Sequence, residues 1–321
     1  MHGRITIMAI AWLTFLGGCS ELPAPTSHEQ DAPVTLLAQS FDPSATGTIQ
    51  GRVVWDGAVP VAEETLVRVL AFNPKLWQNP ARFRTPHIPK VDPRNQGVEN
   101  AVVFLRNVDP RRSKPWDHAK VRVEFQNRQL RIQQDDSVCQ FNPRYLSIQK
   151  ADCVSQLGFV RRGSAIEIVN RDSEYHNLRV RGAAFFGMPL VEANQVHERV
   201  LGQTGVVDLT CQAGYYWLHA HLFVTEHPYY IRTDADGRFV LDHVPAGEYE
   251  VVCWLPSWKI LRQERDPETA VIARFIWETP KEQVRTVQVQ AGRAEEITYR
   301  WDSVDEPRPS GSGEPARGTA P

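Results

Sequence analysis

The chain has no excess of basic charge: 36 Lys and Arg stand against 38 Asp and Glu, a formal net charge of −2 over 321 residues. That balance excludes the strongly positive face a nucleic-acid-binding protein presents, so no nucleic-acid partner is expected. Beyond Leu16 there is no second long apolar run, which excludes a resident membrane-spanning helix in the body of the chain. G-x-S-x-G, H-E-x-x-H, P-loop and C-x-x-C motifs are all missing, and no other catalytic constellation takes their place. The expectation is a protein that is not an enzyme. Cysteine is scarce, with five in the chain. What remains is 42% hydrophobic, enough for a real core, in a length that suits about two domains.

The first residues read as an export signal. His2 and Arg4 precede an almost wholly apolar stretch, Ile5 to Leu16, too short to span a bilayer as a resident helix, which takes about 20 residues. It ends in Leu16-Gly17-Gly18-Cys19, which resembles the lipobox of bacterial lipoproteins. The resemblance implies that residues 1–18 are removed and that Cys19 is lipidated. The membrane partner is then reached through acyl chains worth roughly 0.8 kcal/mol per buried CH₂. It also implies a place in the cell envelope, exposed outside the cytoplasm. With Cys19 set aside, Cys139, Cys153, Cys211 and Cys253 form an even set, and outside the cytoplasm such sets favour disulfides. Three pairings are open. Closing the local pair Cys139 and Cys153 would leave Cys211 with Cys253.

Residues 19–45, rich in Pro, Ser, Ala and Asp, read as a flexible tether, and residues 303–321 as a disordered tail. Between them lie short strands punctuated by Gly, Pro, Asn and Asp. They are Thr48–Trp55, Ala101–Leu105, Val121–Phe125, Ala165–Val169, Val206–Thr210, Trp217–Thr225, Phe239–Leu241, Tyr249–Trp254, Val284–Val289 and Glu295–Trp301. Only Pro267–Trp277 reads as helical. The fold class is all-β, built from sandwiches.

Two resemblances organise this body. Thr233-Asp234-Ala235-Asp236-Gly237-Arg238-Phe239 with Val244-Pro245-Ala246-Gly247-Glu248-Tyr249 resembles the carboxypeptidase regulatory-like domain, a transthyretin-like β-sandwich. Asp236-Gly237 is expected to make a tight hairpin rather than a calcium loop, because the further oxygen donors of an EF-hand are missing. The opening strand of that family is matched by Gly47-Thr48-Ile49-Gln50-Gly51-Arg52-Val53, far upstream, so the domain is discontinuous: residues 46–115 and 231–302. The insert, residues 116–230, carries Cys139, then Asp172-Ser173-Glu174-Tyr175-His176-Asn177, then Cys211 and Trp217–Tyr230. It resembles the cupredoxin-like domains of bacterial envelope proteins. There, residues matching His176 and Cys211 bind copper, with a second histidine and a methionine from a C-x-x-H-x-W-M loop. A thiolate and two imidazoles suit copper, with a weak axial thioether.

The loop here departs from that pattern. It reads Cys211-Gln212-Ala213-Gly214-Tyr215-Tyr216-Trp217-Leu218, so glycine replaces the second histidine and leucine the methionine. No cofactor is expected of such a site; copper is the one the resemblance allows. His176 could equally hydrogen-bond within the turn that precedes it. His219 and His221 share one face of a strand and could chelate a metal, completed by His197 or His227, but they read first as two polar residues on an outer surface. The leading functional expectation is a non-catalytic, lipid-anchored envelope protein with a binding or structural role. Its rivals are a copper electron-transfer or copper-handling protein, and a glycan-binding module using Trp254, Trp258, Trp277 and Trp301. The protein or glycan partner is not identified.

Overall fold

Thr46–Asp56 is a strand because Ile49, Val53 and Trp55 can be buried along it while Asp56 ends it in solvent. It is the centre of a three-stranded sheet, antiparallel to Arg238–Pro245 and parallel to Ala294–Asp302. Gly51 lies so close to the backbone of Ile297 that any side chain there would collide with its carbonyl. A second sheet runs in the order Tyr230–Arg232, Val102–Arg106, Gly247–Leu255, Lys281–Val289. The two sheets enclose one core that includes Ile49, Trp55, Val103, Leu105, Val251, Phe239, Tyr299 and Trp301. In this computed structural model the described residues are 40–61, 65–67, 81–83, 85, 87–134, 155–265, 267–268 and 272–302. Cys19, Cys139, Cys153, the leader, most of the tether and the tail lie outside them.

Between the two chain segments that build this first sandwich, residues 122–225 build a second. Its four-stranded sheet has the order Val196–Val200, Ala165–Asn170, Arg122–Gln126, Gln129–Gln133. Its five-stranded sheet has the order Phe186–Leu190, His176–Gly182, Gly205–Cys211, His219–Thr225, Leu157–Arg161. Val123, Phe125, Ile168, Leu178, Val180, Leu209, Ala220 and Leu222 close the core between them. Among the described residues the structure is all β apart from short 3₁₀ turns, as the strand pattern predicts.

Every residue of His219–Thr225 is buried, which identifies a strand covered on both faces. Its second face meets the first sandwich: Phe223, with Leu157 and Phe159, packs on Val102, Phe104, Val252 and Trp254. The back of one sandwich is therefore the floor of the other, and Arg232 Nη1 donates across the join to the Leu157 carbonyl at 3.1 Å.

Three expectations need correction. The helix expected over Pro267–Trp277 is not found among its described residues: Ile272–Trp277 is a strand paired antiparallel with Ile260–Arg265. Its apolar residues Ile272, Phe275 and Ile276 fall at helical spacing, but Phe275 is buried edge-on against Tyr216, at 4.9 Å and 87°. Asp236-Gly237 makes a tight turn, with Gly237 at φ 74°, but not a hairpin. The strands on either side belong to different sheets, and the Asp234 carboxylate is spent on the backbone N–H groups of Asp236 and Arg238. Finally, Cys211 and Cys253 are both free and buried in separate cores, so no bridge joins them. Trp301 Nε1 lies 3.4 Å from Cys253 Sγ, and burial pushes that thiol up to about 12.

Candidate functional site

The five-stranded sheet carries buried histidine on each of its faces. On the inner face, His176 begins its strand and Cys211 ends the neighbouring one, with Leu178 registered against Cys211. His176 Nδ1 lies 3.7 Å from Cys211 Sγ, and both residues are buried. On its other side the ring donates from Nε2 to Asp172 Oδ2 at 3.0 Å. Phe125 stacks on it at 4.7 Å, and Tyr215 stands tilted to it at 4.8 Å and 44°.

Asp172 and Glu174 hold more than the histidine. The strands Arg122–Gln126 and Gln129–Gln133 are joined by Asn127-Arg128, both at positive φ (53° and 57°), a turn that normally wants glycine second. An arginine in that conformation costs on the order of 1 kcal/mol. Asp172 accepts both backbone N–H groups, at 2.6 and 3.1 Å. Glu174 takes the Arg128 guanidinium in a fork at 3.0 and 2.7 Å, and also accepts from Tyr215 Oη at 2.7 Å. Burial opposes charge on His176, but its bonds to Asp172 and Cys211 outweigh it and raise its pKa to about 9. Burial would raise the Asp172 pKa; the His176 and backbone hydrogen bonds lower it.

This set does not fit the trigonal copper centre that the sequence resemblance implies. Two of the three strong ligands meet, but the third position is Gly214, held at φ 84°, a conformation histidine resists. The loop there is a turn, closed by Leu218 N–H to the Tyr215 carbonyl at 3.0 Å, and the Tyr215 hydroxyl is already committed to Glu174.

On the outer face, His219 and His221 alternate with Ala220 and Leu222, which point into the inner core. The expectation that this histidine face is an exposed surface is overturned: both are buried, because the first sandwich covers them. Their companion is neither His197, which lies on the other sheet, nor His227. It is His87, which stands just ahead of the short strand Lys90–Val91 and is tied through its pairing with Val98–Glu99 to the first sandwich. His87 Nε2 lies 3.0 Å from His219 Nδ1, and one ligand atom from each of the three rings lies within 4.8 Å of the others. Asp208 sits directly across from His221 on the next strand and accepts from its Nδ1 at 2.8 Å, with His219 Nε2 at 3.8 Å. Trp277 stacks on His219 (5.5 Å, 14°), and Trp254 stands edge-on to His221 (5.2 Å, 82°).

Burial first, then the neighbouring His219 and His221, holds His87 well below the usual histidine range. Burial and His221 likewise lower His219 to about 4 against the pull of Asp208. Burial would raise Asp208, but its hydrogen bonds with both histidines hold it far below the usual carboxylate range.

His87 was invisible to pattern reading because the stretch around it has no periodicity. The other two had a usable signal: Phe223 continues their face, and an aromatic at the next outward position marks a covered strand. The four tryptophans do not form a stacking surface. Trp254 and Trp301 are core, Trp258 packs edge-on to Trp55 at 5.8 Å, and Trp277 is spent on His219.

No family model matches the chain, and no curated protein matches it. Among solved structures the neighbours are cupredoxins. An oxidized amicyanin mutant shares 14% identity at a TM-score of 0.24, over 33% of this chain and 82% of that one. A purple cupredoxin from Nitrosopumilus maritimus shares 21% at 0.20, over 22% and 78%. A copper-containing nitrite reductase from Thermus scotoductus shares 14% at 0.24, over 35% and 24%. These scores are too low to bear on the site, whose reading rests on its own geometry.

Proposed function

We propose that this chain is a non-catalytic, lipid-anchored envelope protein in which a cupredoxin-like sandwich has exchanged electron transfer for a binding and scaffolding role. The observation that carries it is the inner-face network. His176 and Cys211 keep the approach of a copper pair, yet Gly214 and Leu218 stand where two further ligands would be, and Asp172, Glu174 and Arg128 turn the remainder into a structural clasp. Supporting the location are the export-type leader and the lipobox-like Cys19, and supporting the lack of catalysis is that G-x-S-x-G, H-E-x-x-H, P-loop and C-x-x-C motifs are missing from the sequence.

The rival, a copper electron-transfer protein, draws on the 3.7 Å approach of His176 to Cys211. Copper titration under reducing and then oxidising conditions separates the two. The proposal expects no intense visible thiolate-to-copper band at any copper ratio. A strong band that disappears in Cys211→Ser overturns it. Globomycin treatment of expressing bacteria, which blocks lipoprotein signal cleavage, tests the anchor: an unprocessed, larger form is expected, and a form processed normally under the drug, or in Cys19→Ala, contradicts it.

A further inference from the structure

Taken from the outer face rather than the inner one, a second and separate site emerges. We propose that His87, His219 and His221 bind one divalent late first-row transition ion, zinc or copper(II), at the junction of the two sandwiches. The proposal does not rest on the reading of the inner-face network.

Three observations carry it. The first is convergence. The three imidazoles come from two sandwiches and from chain positions more than a hundred residues apart, yet their nitrogens gather within 4.8 Å and all three are buried. Tetrahedral coordination at about 2.0–2.1 Å sets ligand nitrogens roughly 3.3 Å apart, so closing on an ion asks the widest separation to shrink by up to about 1.5 Å. The closest pair, His87 Nε2 and His219 Nδ1, is already at 3.0 Å.

Next is the arrangement behind the rings. Asp208 accepts from His221 Nδ1, which fixes the tautomer and leaves Nε2 with its lone pair free. A carboxylate behind a histidine is the usual outer partner of a metal-binding imidazole, orienting the ring and raising its basicity. Trp277 and Trp254 wall two of the rings, which limits their rotation.

The last observation is the chemistry of the set. Three imidazoles with no thiolate suit zinc, copper(II) or nickel and disfavour calcium and magnesium, which want oxygen. Three protein ligands leave a coordination position for water or another donor. A cleft lined by His87, Lys90, Asn100, Gln156 and Leu157 lies on the His87 side of the cluster.

The test uses the full-length chain in detergent, stripped with chelator and titrated with Zn²⁺ alone and with Cu²⁺ alone. The expected result is uptake of one ion per chain, weakened at least about 10-fold by His87→Gln and about 10- to 100-fold by Asp208→Asn. Asp208→Asn keeps the shape of the side chain and alters no ligand, so it remains informative if a ligand variant fails to fold. Circular dichroism identical to the unsubstituted chain qualifies each variant. Cys211→Ser should leave this uptake unchanged, which separates it from any binding at the inner face. Absence of one-to-one uptake of either ion, or uptake that both His87→Gln and Asp208→Asn leave within threefold, overturns the proposal.

Discussion

The two faces of the five-stranded sheet each carry buried histidine, and they use it in opposite ways. On the inner face His176 is fully partnered: Asp172 takes one ring nitrogen, Cys211 faces the other, and Phe125 and Tyr215 pack against the ring. Its charge is welcome there, as the raised pKa records. On the outer face, His87, His219 and His221 crowd nitrogens together with one carboxylate among them, and burial drives His87 and His219 towards the neutral form. A partnered imidazolium stabilises a fold. A cluster of neutral imidazoles offers lone pairs. The contrast sets a histidine committed to its neighbours against histidines whose nitrogens gather where no motif announces them.

The contrast can be broken from its inner side first. Asp172→Ala removes the acceptor for His176 and for the Asn127 and Arg128 backbone N–H groups, and leaves the buried imidazole without the partner that holds its charge. Removing one partner of such a buried pair costs about 3–5 kcal/mol, so urea unfolding should show the largest loss of stability here. A loss under about 1 kcal/mol would mean the clasp is not holding the turn.

A smaller effect follows from pH. The folded pKa of His176, about 9, lies above the value near 6.5 of an unfolded histidine. Its contribution is therefore complete below about pH 6.5 and is lost as pH rises through about 9, on the order of 3 kcal/mol. Unfolding at pH 6 and at pH 9.5 should differ more in the unsubstituted chain than in Asp172→Asn. Equal differences in the two would separate the alkaline loss from this pair. The smallest effect is expected from Cys211→Ser, a near-isosteric change at a buried thiol, at about 1 kcal/mol with no change in metal uptake. Loss of metal uptake would restore Cys211 as a ligand.

Much of the fold was legible in the chain because strands announce themselves locally. All ten predicted strands lie on observed ones, and Val121–Phe125 shows why: alternation survives whatever the sheet packs against. Others were readable and missed. His176–Gly182 alternates Leu178 and Val180 inward with Arg179 and Arg181 outward, but its arginines disguise a half-buried strand. Pro267–Trp277 misled because three apolar residues can satisfy helical spacing by chance, while the strand is fixed by partners in Ile260–Arg265. The departure of the loop from the resembled pattern was also legible, since Gly214 and Leu218 stand where that pattern has histidine and methionine. The outer cluster was not. Its burial depends on one sandwich covering the back of another, and its third member comes from a stretch without periodicity. Both are tertiary facts, carried by no local pattern.

The account stands on metal binding residing on the outer face and not on the inner one. Electron paramagnetic resonance of the full-length chain loaded with one equivalent of Cu²⁺ reads that directly. The expected spectrum has nitrogen splittings from imidazole ligands, no accompanying visible thiolate band, and changes in His87→Gln but not in Cys211→Ser. A spectrum that is indifferent to His87→Gln and collapses in Cys211→Ser would place the ion at the inner face and contradict the account.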